Sequence, residues 1–269
     1  MRNWGSFRKF RIMASNSTTR FSDRVEDYVK YRPHYPEVIL SYLRDLYTFG
    51  PGWAVADIGS GTGISTEPFL RNGNKVYAVE PNADMRGKAE ELLSGYGRRF
   101  VSLDGTAEAT GLAEASVELL VAGQAFHWFD PVRSRVEFVR VLKPGGVVAL
   151  IWNERLMESP FEKEYEALIL HYASDYKTIN HKHIADLQIA DFFAPAAFRL
   201  DQFPNEQLFD YAGLKGRLLS SSYIPKEGPG FAAMIEDLER LFDKHRSGGR
   251  VRVGYDTKLY SGVLGGHSL

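Results

Sequence analysis

The sequence predicts an α/β protein built on a parallel β-sheet. Between residues 54 and 152, short apolar segments rich in β-branched residues alternate with segments that have helical periodicity. A glycine-rich loop directly follows the first apolar segment, and Asp130-Pro131 supplies a helix-start signal before a later helical one. Strands and helices that alternate in this way form βαβ units, whose strands lie side by side and parallel.

Seven segments have the character of strands. They are 54–58, 75–80, 100–105, 117–124, 147–152, a segment near 198–206, and 250–264. In the alternating region we predict a helix after the glycine loop, one from Asn82 to about Leu93, a short one after the third strand, and one that begins at Asp130. In the helix from Asn82, the residues expected on one apolar face are Met85, Ala89 and Leu92.

Helical segments also lie on both sides of the alternating region. Residues 21–50 are predicted to form a helix, a proline-marked turn and a second helix. Further helices are predicted at 159–176, about 207–221 and 229–246.

Composition excludes several classes of function. The chain has 269 residues, 44% of them hydrophobic, and no cysteine, so disulfides, thiolate metal sites and cysteine nucleophiles are absent. Its net charge is −1 and its charges are interspersed, whereas nucleic-acid partners favour a basic stripe. The longest apolar run, 145–152, is too short to cross a bilayer. We therefore expect a cytoplasmic protein with neither a nucleic-acid nor a membrane partner.

The glycine-rich loop carries the main functional signal. Gly59, Gly61 and Gly63 permit a tight turn and a close approach of ligand to backbone. A nicotinamide-dinucleotide fingerprint would need a small residue at the position of Ile64. Asp57 precedes the loop, and its carboxylate would repel a pyrophosphate but attract an ammonium or a sulfonium. The loop therefore favours S-adenosylmethionine over a dinucleotide.

Glu80 ends the second predicted strand. A carboxylate at this place can accept hydrogen bonds from both hydroxyls of an adenosine ribose. That role suits NAD and S-adenosylmethionine equally, so an NAD(P)-dependent oxidoreductase stays open as the alternative function.

Five successive motifs resemble those of class I S-adenosylmethionine-dependent methyltransferases. They read "VADIGSGTG", "VYAVEPNADM", "DGTAEATGL", "AGQAFHWFD" and "LKPGGVVALIWNE". With the leading "YVKYRPHYP", they are similar to the small-molecule branch that includes trans-aconitate methyltransferase. The resemblance runs from about Phe21 to the end of the chain. It implies a Rossmann-like sheet of seven strands with the last antiparallel, helices on both faces and an N-terminal helical lid.

By position, the resemblance also implies which residues hold the cofactor. The methionine end would be held by Asp57, Gly59 and Gly61, with Gly63 completing the loop, and the ribose by Glu80. The adenine would be surrounded by Pro81, Met85, Thr106, Ala107 and Glu108. The transferable methyl group would be faced by Gln124, Ala125 and His127. The Asn/Asp-Pro-Pro-aromatic run of amino-methylating nucleic-acid enzymes is absent after the fourth strand, which counts against a base-modifying role.

Four regions are predicted along the chain. Residues 1–20 are basic and free of acids, a composition found in organelle transit peptides. A disordered basic tail, with Met13 as an alternative start, is the interpretation we favour. The other regions are a helical cap at 21–50, an S-adenosylmethionine-binding core at 51–155, and a C-terminal part of the same domain at 156–269, with a helical insertion and the final strands.

Two side chains are candidates for the chemistry. A carboxylate acceptor needs no base, whereas a phenol, an amine or a carbon acid does. His127 is the candidate base, and a structural histidine is the alternative. Arg32 is the candidate partner of a cofactor or substrate carboxylate, and aromatic packing in a proline-rich turn is its alternative. The "HKH" at 181–183 is predicted to be a solvated loop, and we predict no metal site.

The sequence thus predicts a methyltransferase that acts on a small molecule, with a carboxylate oxygen as one candidate acceptor. Two alternatives stay open, the oxidoreductase and a non-catalytic S-adenosylmethionine-binding protein.

Overall fold

The computed structural model describes residues 25–173, 186–225, 227–228 and 230–264. The helices in these residues are α1 Val25–Tyr31, α2 Val38–Tyr47, α3 Thr66–Arg71, α4 Ala83–Leu93, α5 Pro131–Val141, α6 Pro160–Tyr172, α7 Asp186–Phe193, α8 Tyr211–Leu219 and α9 Phe231–His245. The strands are β1 Ala54–Ile58, β2 Lys75–Val79, β3 Phe100–Leu103, β4 Val117–Gly123, β5 Leu142–Arg155, β6 Arg199–Phe209 and β7 Val251–Val263. The predicted tail and the histidines of 181–183 lie outside the described residues.

All seven of these strands belong to one sheet, in the order β3-β2-β1-β4-β5-β7-β6. Neighbouring strands among β1 to β5 are parallel, and β7 is antiparallel to both β5 and β6. The predicted seven-stranded sheet with an antiparallel last strand is confirmed. Strand order reverses between β1 and β4, because the chain builds outward to β3 and then returns to the other side of β1. In such sheets a ligand crevice forms at the carboxyl ends of the two strands at this point.

Helices cover both faces of the sheet. Ala56 of β1 packs on one face in a cluster with Phe138 of α5, and Val55 packs on the other face in a cluster with Leu43 of α2. These four side chains are at most 1% exposed. Because parallel strands buried on both faces read as continuous apolar runs, the core of the sheet was visible in the sequence.

The C-terminal helices form a cluster of their own around the start of β7. Side chains of α6, α8 and α9, including Tyr165, Leu214 and Leu238, pack there with Val253. The N-terminal helix α1 has no buried residue and lies against α8. A Cβ on Gly216 would lie 2.0 Å from the Tyr31 ring, so only glycine leaves room for this contact. The C-terminal helices thereby hold the N-terminal segment in place.

Two predictions about local structure were wrong. No helix follows β3 within the described residues, where Thr106 and Ala109 instead form an isolated bridge. The backbone N–H of Thr110 donates to the Glu137 carboxylate of α5 at 2.9 Å. A side chain, and not a helical carbonyl, therefore accepts this backbone hydrogen bond. On α4, Leu92 is 46% exposed and its neighbour Leu93 is buried.

Other differences concern extent. Helix α7 was not predicted, and β6 was predicted to end at 206, whereas residues 207–209 continue to pair with β7. The pairing displaces the start of the following helix to Tyr211. Strand β5 is longer than predicted at both ends, because Leu142 pairs with Val117 of β4 and β7 pairs with β5 as far as Arg155. None of the helices in the described part of the chain is long and apolar enough to span a membrane.

The helix start predicted at Asp130 gives a stability test. One carboxylate oxygen of Asp130 accepts the backbone N–H groups of Val132 and Arg133, both at 3.0 Å. Asp130→Ala is expected to lower the free energy of unfolding by about 1 kcal/mol in urea denaturation, because the cap is lost. Asp130→Asn keeps an acceptor and should stay close to wild type. Equal losses in both variants would contradict the capping role.

Candidate functional site

The glycine loop begins where β1 ends, at the predicted crevice. The backbone N–H groups of Gly59 and Ser60 both donate to the carbonyl of Val79, at 2.9 and 3.2 Å. Gly59 has a φ of +67°, and a Cβ there would lie 2.7 Å from the Cβ of Ala125. The loop is therefore packed against the turn that follows β4.

The last glycine of the loop has a packing role. Gly63 has a φ of +91°, and a Cβ there would lie 2.5 Å from a methyl carbon of Leu93 on α4. In a dinucleotide fingerprint, close packing is the role of the third small residue, which would stand at the position of Ile64. In this chain Gly63, one residue earlier, has that role.

Asp57 is fully buried beneath the loop. One carboxylate oxygen, Oδ2, accepts the hydroxyls of Ser65 and Thr66 at 2.7 and 2.6 Å. The other, Oδ1, is buried and has no hydrogen-bond partner among the described residues. Burial raises the pKa of Asp57 to about 6, although the two hydroxyls favour the charged form. The site therefore presents one unsatisfied carboxylate oxygen, an arrangement that suits a cationic donor.

Glu80 has its two oxygens engaged by the backbone. Its Oε2 accepts the N–H of Gly61 at 2.9 Å, and its Oε1 accepts the N–H of Asn82 at 2.8 Å. The side chain is 9% exposed, and this burial raises its pKa. Glu80 therefore braces the glycine loop, a contact that sequence reasoning missed. Each oxygen keeps a second lone pair for a further donor.

The first turn of α4 lies beside the loop. The amide oxygen of Asn82 accepts the N–H groups of Asp84 and Met85, both at 3.0 Å, and so caps the helix. The Met85 methyl carbon lies 3.4 Å from where a Cβ on Gly61 would be. Pro81, which precedes the cap, is half-buried. The structure thus places Met85 beside the loop, and its role at the adenine stays a prediction.

Residues 106–108 form the loop after β3. Thr106 is exposed, and Ala107 is buried in the core. The Glu108 carboxylate accepts the backbone N–H of Asp130 at 2.8 Å. This bond ties the loop to the start of α5.

The turn after β4 completes the crevice. Gln124 has a φ of +54°, its N–H donates to Ile151 at 2.8 Å, and its side-chain amide donates to the Asn153 carbonyl at 3.0 Å. Ala125 touches the glycine loop, as described above. His127 lies in the 3₁₀ turn Phe126–Trp128, is partly exposed, and its ring centroid is 4.8 Å from that of Trp128.

A small pocket lies between the glycine loop and the segment that follows α1. The residues that line it include Tyr28, Arg32 and Tyr35 on one side and Gly59, Ser65 and Gln124 on the other. A Cβ on Gly123, the last residue of β4, would lie 2.6 Å from the hydroxyl of Tyr35. Tyr28 and Tyr35 thus line the pocket together with the glycine loop.

Arg32 lies in this pocket and also reaches the C-terminal part of the chain. Its Nη2 donates to the carbonyl of Ser220 at 3.1 Å, and its guanidinium carbon is 5.0 Å from the centroid of the Tyr28 ring. Its Nε is buried and has no acceptor among the described residues. Burial and the positive charge of Arg217 lower its pKa. Arg217 carried no signal in the sequence analysis.

Metal ligation has no support in the part of the chain that the structure describes. Among those residues, no group of three or more His, Asp or Glu side chains is arranged to hold an ion.

Comparison with known proteins finds similarity to methyltransferases. Residues 56–150 match the family described as "Methyltransferase domain". An uncharacterised methyltransferase of Mycobacterium tuberculosis (strain ATCC 25618 / H37Rv) is 36% identical over 135 residues, which cover 50% of this chain and 52% of that protein. The chain thus spans about half the length of this relative. An uncharacterised methyltransferase-like protein of Schizosaccharomyces pombe is 26% identical over 249 residues, or 90% of this chain and 94% of that one.

A solved structure shares the fold. Phosphoethanolamine N-methyltransferase 2 of Haemonchus contortus, in complex with phosphomonomethylethanolamine and S-adenosylhomocysteine, has a TM-score of 0.53 and 15% identity, covering 96% of this chain and 60% of that one. The family match and the curated relatives favour the methyltransferase interpretation of the glycine loop over the oxidoreductase alternative. Residues 56–150 thus match a methyltransferase domain, and the curated relatives that the chain resembles are named as methyltransferases or methyltransferase-like.

Proposed function

We propose that the protein binds S-adenosylmethionine at the carboxyl ends of β1 and β4 and transfers its methyl group to a small molecule. The observation that carries this proposal is the buried Oδ1 of Asp57, which lacks a partner in a methyltransferase domain. The methionine ammonium of the cofactor is a donor of the required charge. When bound, S-adenosylmethionine supplies an electrophilic methyl group on a sulfonium.

The chain's own residues fit the rest of this cofactor. In this proposal the glycines of the loop, Gly59, Gly61 and Gly63, admit the methionine end. Glu80 takes the ribose hydroxyls through its remaining lone pairs while it braces Gly61. The residues assigned to the adenine are Pro81, Met85, Thr106, Ala107 and Glu108. Gln124 and Ala125 follow β4 and are assigned to the methyl end.

The acceptor is proposed to be a small molecule, with a carboxylate oxygen as one candidate. Positioning can supply most of the catalysis of an in-line displacement, and a carboxylate needs no base. Arg32 supports this candidate, because its guanidinium shares a pocket with Gly59 and Gln124. His127, in the turn after β4, remains the proposed base for an acceptor that must lose a proton. The predicted division of the chain, with its cap, core and C-terminal part, also remains a proposal, as does the cytoplasmic compartment.

A binding measurement and a transfer assay test the proposal together. Isothermal titration calorimetry with S-adenosylhomocysteine should give a saturable isotherm, and incubation with S-adenosylmethionine and a panel of acids, phenols and amines should release S-adenosylhomocysteine. No binding at protein concentrations far above micromolar would overturn the proposal. Binding without transfer across the panel would favour the non-catalytic alternative.

The raised pKa of Asp57 predicts how cofactor affinity depends on pH. The carboxylate is the form that attracts an ammonium, and this form is lost as the pH falls through about 6. The affinity for S-adenosylhomocysteine should therefore be about tenfold lower at pH 5 than at pH 7, because one proton must be released on binding. Calorimetry at the two pH values measures this ratio. The ratio should approach one in Asp57→Asn, and an unchanged tenfold ratio in that variant would contradict the assignment.

A further inference from the structure

Two arginines, Arg217 buried and Arg32 partly buried, lie near each other without a carboxylate partner among the described residues. They are Arg32, in the segment after α1, and Arg217, on α8. Among the described residues, neither forms an ion pair with an aspartate or a glutamate, whereas the nearby buried Arg155 pairs with Glu166. A charge shielded from water is costly unless it is paired, so a buried and a partly buried guanidinium without a carboxylate partner favour an anionic ligand.

Arg217 is fixed in place by hydroxyl groups. It is 7% exposed, its Nε donates to the Tyr255 hydroxyl at 3.1 Å, and its Nη1 donates to the Ser221 hydroxyl at 3.1 Å. The Tyr255 hydroxyl in turn donates to Gln207 at 2.9 Å. The second terminal nitrogen, Nη2, takes no part in these two hydrogen bonds. Neutral groups thus orient this guanidinium and leave its charge uncompensated.

The residues Ser220 and Ser221, which follow α8, connect Arg217 to Arg32. Arg32 donates to the carbonyl of Ser220, the residue next to the hydroxyl that Arg217 contacts. The positive charge of Arg217 is among the causes that lower the pKa of Arg32, which means that the two cations repel each other. Arg32 also lines the pocket shared with Gly59 and Gln124. The pair of cations therefore adjoins the proposed methyl-transfer site.

We propose that Arg32 and Arg217 together bind an anionic group of the methyl acceptor, a carboxylate or a phosphate. This inference rests on the proposed function and extends it to the class of substrate. Guanidinium groups bind both anions through paired N–H donors. Asp57 would then bind the cationic end of the cofactor, and the arginine pair the anionic part of the acceptor. Opposite charges would thereby assign each ligand to its own side of the pocket.

The test uses citrate and inorganic phosphate as probes. Calorimetry on the full chain saturated with S-adenosylhomocysteine should show that citrate, phosphate or both bind to the wild type. Arg217→Gln and Arg32→Gln should each weaken this binding at least tenfold. Arg252→Gln is the matched control, because Arg252 is exposed and already paired with Glu206, and its affinity should be unchanged. The affinity of Arg217→Gln for S-adenosylhomocysteine should stay within about threefold of wild type.

The inference would be overturned if neither anion binds the wild type at millimolar concentration, or if anion binding survives both substitutions. It would also be overturned if both variants lose affinity for S-adenosylhomocysteine. That result would assign the arginine pair to the cofactor's carboxylate. The proposed function fails separately, through absent S-adenosylhomocysteine binding by the wild type. If Arg217→Gln does not fold, Arg217→Lys tests whether Arg217 binds the anion, because lysine keeps the positive charge and loses the paired N–H donors of the guanidinium. Its citrate affinity should fall by less than that of Arg32→Gln.

Discussion

Gly59→Ala is expected to lower the free energy of unfolding by about 2–5 kcal/mol. Two effects add. A φ of +67° costs about 1–2 kcal/mol for a residue with a Cβ. The new Cβ would also lie 2.7 Å from that of Ala125, and overpacking of this kind costs about 1–3 kcal/mol. Thermal unfolding should show a fall in Tm of roughly 5–10 °C.

Gly61→Ala is the matched control for this prediction. Gly61 has a similar φ of +56°, but the nearest atom to its new Cβ would be the flexible methyl end of Met85, at 3.4 Å. It should therefore lose only the backbone contribution, about 1–2 kcal/mol. Similar losses in the two variants would show that the contact between the glycine loop and the turn after β4 does not limit stability.

Asp57→Asn is expected to weaken S-adenosylhomocysteine binding by roughly 30- to 150-fold. The substitution is nearly isosteric, and the asparagine oxygen can still accept the hydroxyls of Ser65 and Thr66. The amide nitrogen would then replace Oδ1 and present a donor to the ligand's ammonium. A lost charged hydrogen bond of about 2–3 kcal/mol corresponds to this range. Asp84→Asn, the same change at an exposed position of α4, should bind as the wild type does.

The same variant should reveal the energetic penalty of burying Asp57. Because the folded pKa is raised from 3.8 to about 6, the charged form destabilises the fold above pH 6, and this penalty fades as the pH falls toward 3.8. Asparagine does not titrate. The stability of Asp57→Asn relative to wild type, from urea denaturation without ligand, should therefore be greater at pH 7 than at pH 5, by about 1 kcal/mol. A difference of the opposite sign would contradict the raised pKa.

Most of the sheet could be predicted because its signals are local. Each buried parallel strand is a short apolar run, and the capping pair Asp130-Pro131 places a helix start by itself. The failures concern segments whose partners are distant in sequence. The absence of a helix after β3 depends on Glu137 of α5, and the length of β6 depends on its pairing with β7.

The candidate site was also predicted only in part, where its residues form a contiguous sequence pattern. The glycine loop, Asp57 and Glu80 were found because their types and spacing are a contiguous pattern. The hydroxyls that hold Asp57, those of Ser65 and Thr66, follow the loop closely and could have been sought as its partners. Arg217 could not have been found, because nothing in its local sequence distinguishes it from an exposed helical arginine.

By itself, the sequence determined the alternation of strands and helices, the loop that follows β1, and the acid beneath that loop. Only the tertiary structure decided which oxygen of Asp57 is left without a partner, that Glu80 braces Gly61, and that Arg32 lies near Arg217. The reason is physical. Periodicity and turn chemistry act over a few residues, whereas the burial and pairing of a charge depend on side chains that folding brings together from distant parts of the chain.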